Sequence, residues 1–122
     1  MLDAAPLLHA VDRLADRLRA LPQGRLLGDV PGFGSRADAA LALARGLADA
    51  AQRLEAPDRE PVPLPDAGPF AVGDQVAVAG HDLAAAIAAP AGEWARVAAR
   101  EVLEEALRNV EVTARLMDGR AS

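Results

Sequence analysis

The chain alternates long stretches of helical periodicity with short stretches rich in Gly and Pro. Leu7, Val11, Leu14, Leu18 and Leu21 recur at spacings of four and three, which is one apolar face of a helix. Pro6 suits the first turn of such a helix, and Asp3 lies near its positive end. Pro22 and Gly24 end it. A first helix is predicted over residues 4–21. The next stretch, "PQGRLLGDVPGFG", reads as an ordered loop with Leu26, Leu27, Val30 and Phe33 turned inward. Ser35 then caps a second predicted helix, with Asp38 three residues on in a capping-box arrangement. Leu43, Leu47, Ala50 or Ala51, and Leu54 form its stripe, which ends near Glu55.

Residues 70–89, "FAVGDQVAVAGHDLAAAIAA", admit two periods. Val76, Val78 and Gly80 alternate like a strand. Val72, Val76, Ala79, Leu83 and Ile87 recur at three and four, like a helix. The alternation stops at Gly80, whereas the helical spacing continues to Ile87, and a lone strand has no partner elsewhere in the chain. A third helix is therefore predicted here, with Pro90 opening the next turn. Its interior glycines, Gly73 and Gly80, fall on or beside the apolar face, where glycine lets another backbone approach. Asp74 and His81 are placed opposite that face. A fourth helix is predicted over residues 92–117. Leu103, Ala106, Val110, Thr113 and Met117 form its apolar stripe. Glu101, Glu104, Arg108, Glu111 and Arg115 form a solvated one, with Glu104–Arg108 and Glu111–Arg115 as i,i+4 pairs. Between the second and third helices, "APDREPVPLPDAGP" is a stiff, extended linker. The expected fold is all-α: one domain over residues 1–122, a single four-helix bundle without a sheet, and a Pro-rich crossover linker between helices two and three.

Composition narrows the function. All 13 basic residues are Arg, and Ala makes up about a quarter of the chain. Both fit a GC-rich bacterial source such as an actinobacterium. With no Lys, Schiff-base chemistry and a phosphate-loop lysine are excluded. With no Cys, so are disulfides and thiolate ligands. The net charge of −5 and three scattered aromatics, Phe33, Phe70 and Trp94, argue against a nucleic-acid partner. The start lacks a basic leader segment, and the uncharged run "LAAAIAAPAG" is too short to cross a bilayer. A cytoplasmic location with no membrane partner is the expectation.

Candidate chemistry is sparse. "GFGSRA", Gly32–Ala37, matches a dinucleotide pattern before a helix, but "RLLGDVP" is a poor strand and no strand follows. An anion held by the helix start and Arg36 is a milder possibility; an ordinary capped start is the simpler one. The hydroxyls are Ser35, Thr113 and Ser122, and Ser35 already has a capping role. Acid–base work falls to His9, His81 and carboxylates. Two histidines without metal-ligand spacing predict no metal and no cofactor.

"VPGFGSRADAALALARGLA" after a first amphipathic helix resembles a segment of the DinB and mycothiol-dependent maleylpyruvate isomerase-like families. Pro31, Gly32, Phe33 and Arg36 carry the resemblance, as does "HDL" at His81–Leu83. It implies a four-helix bundle. The family's metal histidine on the second helix would fall near Leu41, so the resemblance also implies lost metal chemistry.

Two functions follow as expectations. The first is a non-catalytic interaction or self-association module that works through the third helix. Its surface would be Val78 and Ala85, bordered by Asp74, His81, Gln75 and Asp82, facing another copy or another protein. The second is a DinB-like small-ligand binder or enzyme with a pocket near Asp74 and His81.

Overall fold

The apolar stripes fold as four long helices. The computed structural model describes residues 2–89 and 91–118, so Pro90 and Ser122 lie outside it. The long helices are α1 (Ala5–Ala20), α3 (Arg36–Glu55), α4 (Val72–Ala88) and α5 (Glu93–Asp118). A single turn, α2 (Gln23–Leu26), follows α1, and a 3-10 turn at Pro69–Ala71 leads into α4. α4 packs on α1 and α3, and α5 packs on the same two helices. Side-chain pairs give the directions. His81 meets Asp12 and Asp74 meets Arg19, so α4 runs antiparallel to α1. Arg36 reaches the carbonyl of Leu116, so α5 runs antiparallel to α3. Arg17 pairs with Asp118, so α1 and α5 run the same way. α3 and α4 are therefore parallel neighbours.

One expectation fails between α2 and α3. The segment read as a loop contains a two-residue antiparallel ladder, β1 (Asp29–Val30) with β2 (Gly34–Ser35). The physical reason is Val30-Pro31-Gly32-Phe33, a type II turn. Pro31 holds φ near its fixed value, and Gly32 supplies the positive φ, +87°, that the third position demands. The turn also sorts the apolar residues differently from the expectation. Leu26 and Val30 are buried, while Leu27 and Phe33 are exposed.

The start of α3 is held twice. The Ser35 hydroxyl accepts from the Asp38 backbone N–H at 3.0 Å, and the Asp38 carboxylate accepts from the Ser35 N–H at 2.9 Å. This closes the capping box. Arg36, next in line, is buried at 4 % exposure. Its guanidinium donates to the carbonyls of Leu116 and Arg25, at 2.9 and 3.1 Å. Arg25 donates to the carbonyl of Met117 at 2.9 Å. Two cations thus satisfy the last carbonyls of α5, which have no partner within their own helix, and they sit at the negative end of its dipole.

The Pro-rich segment after α3 doubles back along that helix. The Gln52 side-chain amide pairs with both backbone groups of Val62, accepting from N–H at 2.7 Å and donating to C=O at 3.0 Å. One glutamine thereby acts as a short strand partner for a stretch whose prolines cannot build a ladder. Arg45 donates to Leu64 C=O at 3.0 Å, and Gln75 of α4 donates to Pro65 C=O at 2.8 Å. This strap returns the chain to the end of α3 from which a parallel α4 can start.

The stretch read as the third helix resolves as helix, a 3-10 turn at Pro69–Ala71 and then α4 to Ala88. Val72, Val76, Gly80, Leu83 and Ile87 are all buried. The side groups of α4 differ toward its two neighbours. Toward α1 it presents Gly73 and Gly80. A Cβ on Gly80 would lie 2.4 Å from a methyl of Val11, and one on Gly73 would lie 3.2 Å from the Ala15 carbonyl. The two backbones approach closely because these side chains are missing.

Gly80→Leu is expected to lower stability by about 1–3 kcal/mol or more, the ordinary overpacking penalty, read as a shifted urea midpoint with helicity retained. The capping box carries a pH signature. The Ser35 backbone N–H, and then its hydroxyl, hold the Asp38 carboxyl below its ordinary value. Its stabilisation is therefore complete above the unfolded carboxylate range and is lost as pH falls through the lower folded value. The stability gap between wild type and Asp38→Ala is expected to be constant above about pH 5 and to close in stronger acid, measured by urea titration at each pH.

Candidate functional site

α4 was expected to carry the site. Its Asp74 and His81 are exposed, away from the core face, and each reaches across to α1. Asp74 accepts from Arg19 Nε and Nη2 at 3.0 and 2.7 Å. This hydrogen bonding raises the Arg19 guanidinium above its ordinary value, so the arginine stays charged. His81 Nε2 lies 2.7 Å from Asp12 Oδ1. Both pairs are about half exposed or more, the setting in which an ion pair adds little stability. Each residue is engaged with α1, and the two do not converge on one pocket. His81 and Ala85 border a shallow depression at the start of α1, walled by Leu2 and Leu8, and Asp74 is not among its lining residues. Val78 is 62 % exposed, and Ala85 and Asp82 are exposed beside it. What remains on α4 is a narrow strip with two small apolar side chains.

The anion reading at the start of α3 is overturned by its own contacts. The Asp38 carboxylate already takes the Ser35 N–H, and Arg36 is turned inward onto carbonyls. Leu41, where a metal histidine would fall in the resembling families, is buried in the core. Among the described residues, no group of three or more His, Asp or Glu stands close enough together to hold a metal ion.

A concavity of greater extent lies elsewhere, between α3 and α5. It has a volume of about 710 Å³ and runs from Leu54 and Ala98 at one end to Phe33 and Val112 at the other. Its length is ~21 Å by helical rise. It is a trough for a row of side chains rather than a chamber for a compact molecule. α3 lines it with Ala39, Ala42, Gly46 and Ala50. α5 lines it with Ala98, Val102, Glu105, Asn109 and Val112. Asp49 and Arg53 pair at 2.7 Å on its rim, and hydrogen bonding to Asp49 raises the arginine above its ordinary value.

The trough follows from a second seam on α5. Its core seam is Ala99, Leu103, Ala106, Val110, Thr113 and Met117, all buried. One residue earlier at every step run Ala98, Val102, Glu105, Asn109, Val112 and Leu116. This second set keeps the same heptad spacing, rotated about 100° around the helix. Val112 is 52 % exposed, and Trp94 at the open end of α5 is 89 % exposed. The solvated-face reading of α5 missed this seam, which the heptad count contains. The expected Glu104–Arg108 pair does not form among the described ion pairs, whereas Glu111–Arg115 does, at 2.6 Å. Gly46 was a second signal. A glycine in a helix interior costs about 1 kcal/mol relative to Ala. At Gly73 and Gly80 the neighbouring helix accounts for it, but nothing stands within 4 Å of a Cβ placed at Gly46.

No family model, curated protein or solved structure matches the chain.

The α4 strip has a direct test. Because Val78 and Ala85 face water, Val78→Glu with Ala85→Glu is expected to leave the melting temperature nearly unchanged, read by circular dichroism.

Proposed function

We propose that this chain is a non-catalytic protein-interaction module. In this reading the four long helices form a single bundle, with the strap over residues 56–68 as the crossover between the parallel α3 and α4. The binding face is the α3–α5 trough. The observation that carries the reading is the second apolar seam of α5, which lies open beside the small residues of α3 and has exposed Phe33 and Val112 at one end. An amphipathic helix laid on such a face covers apolar surface and meets a polar rim at Asp49, Arg53 and Glu105. The Val78–Ala85 strip of α4, with Asp82, is a smaller contact surface of the same kind. The resemblance carried by Pro31, Gly32, Phe33 and Arg36 agrees with a bundle that lacks the family's metal site. A pocket-based reading has less support, because Asp74 and His81 are each occupied by α1.

Ala42→Glu combined with Val112→Glu places two carboxylates in the trough. The variant is expected to keep wild-type helicity and to lose at least about tenfold in affinity for whatever chain the wild type binds, itself included. Binding that is unchanged by this variant, or a catalytic turnover that survives it, overturns the proposal.

A further inference from the structure

The trough has a symmetry that identifies an occupant. α3 and α5 are antiparallel, and the trough spans Ala39–Leu54 on one helix against Ala98–Thr113 on the other. Gly46 therefore lies level with Ala106, within one residue of Leu107, the midpoint between Glu105 and Asn109. Resting on the reading of this face as a binding surface, we propose that its occupant is a second copy of the chain. The two copies stack face to face about a two-fold axis at the level of Gly46 and Leu107, with α5 antiparallel to α5 and α3 antiparallel to α3.

Four observations converge on this arrangement. First, the rotation sets Glu105 of one copy beside Arg108 of the second, twice, and Glu101 beside Arg115, twice. Glu101, Glu105 and Arg108 make no ion pair within the chain among the described residues. Opposite charges thus meet, with Arg115 alone of the four already held within the chain, by Glu111, even though the chain's overall charge of −5 is self-repelling. Second, Val102 comes opposite Val112 and Ala98 opposite Leu116, with Glu105 opposite Asn109 at the centre. This is the layer pattern of an antiparallel helix pair, with a polar layer on each side of the axis to fix register. Third, Gly46 meets Gly46 across the axis, between Ala42 and Ala50. The unfilled space above it is then the space a second α3 enters, as α1 enters the space at Gly80. Fourth, the rotation carries Trp94 of one copy to the Phe33 end of the other copy's trough. The two exposed rings, at 89 % and 47 %, cover each other there.

Sedimentation equilibrium of the full chain, up to near-millimolar concentration, tests this. The wild type is expected to reach dimer mass, with Trp94 emission shifting to the blue as it does so. Gly46→Arg fills the axis with charge and is expected to weaken the dimer at least about tenfold while helicity is kept. Arg108→Glu is expected to weaken it, and Glu105→Arg with Arg108→Glu to restore most of the loss. If Gly46→Arg fails to fold, the charge reversal and its restoration carry the test. A wild type that stays monomeric at every concentration overturns the second-copy occupant. So does a dimer that neither Gly46→Arg nor Arg108→Glu weakens. Failure of the wider reading looks different. If the wild type is monomeric but Ala42→Glu with Val112→Glu abolishes binding of another chain, only the occupant is wrong. If that variant changes no interaction at all, the binding face is wrong as well.

Discussion

The close contact between Gly80 and Val11 sets the geometry on which the other helices depend. Without a side chain at position 80, α1 and α4 meet backbone to side chain, and the Val11 methyls fill the place of the missing Cβ. Gly73 repeats the arrangement two turns away against Ala15 and Arg19. A bulkier residue at either point would displace α4 and, with it, its packing on α3. The surface partners Asp12–His81 and Arg19–Asp74 flank this contact at the two glycine levels. Their energetic weight is small at such exposure, but they match the register that the glycines define. The residues that first suggested chemistry on α4 thus serve its docking onto α1.

At the far end of the molecule the constraint is electrostatic. Arg36 and Arg25 gather the carbonyls that α5 leaves unpaired at its C-terminus. A buried guanidinium is tolerable because its donors meet oxygen atoms rather than apolar carbon. Gly28 belongs to the same device, since a Cβ there would lie 3.0 Å from an Arg36 nitrogen. The type II turn at Pro31–Gly32 brings the segment round so that Arg36 faces inward. Together these tie the α2–α3 connection to the last turn of α5 through hydrogen bonds rather than apolar packing.

The sequence was most legible where periodicity was long. The stripes of α1 and α5 match their buried residues, except Leu21, which caps α1 half-buried, and the choice of helix over strand at residues 70–89 rests on spacing that the packing bears out. The short hairpin was missed because two-residue strands leave no alternation to count, and only the Pro31–Gly32 pair signalled the turn. Arg36 suggests an anion at the helix start when read in the sequence, because a sequence shows a charge but not the carbonyls that will surround it. A helical wheel places Asp74 and His81 off the core face, where they are exposed, but it gives only an angle, and the length of a side chain decides whether it reaches a neighbour such as α1. The α3–α5 trough was hidden by composition. Alanine is so common here that a lining of alanines looks like background, and the second seam of α5 is interrupted by Glu105 and Asn109. The exposed glycine in α3 was the more telling mark, because alanine-rich usage gives no reason to place Gly46 there.

The position of Trp94 decides how this protein can be observed. It is the only tryptophan in a chain without tyrosine, and it stands almost entirely in solvent on the first turn of α5. Intrinsic emission therefore carries almost no record of whether the core is formed, since the indole has nearly the same surroundings in the folded and unfolded chain. Denaturation followed by fluorescence would show a flat trace, easily mistaken for extreme stability or for a chain that never folded. The same indole stands one turn before Ala98, the α5 residue at the end of the trough, where anything that settles over it changes its solvent. The protein thus holds a native optical reporter that is deaf to its folding and attentive to its company.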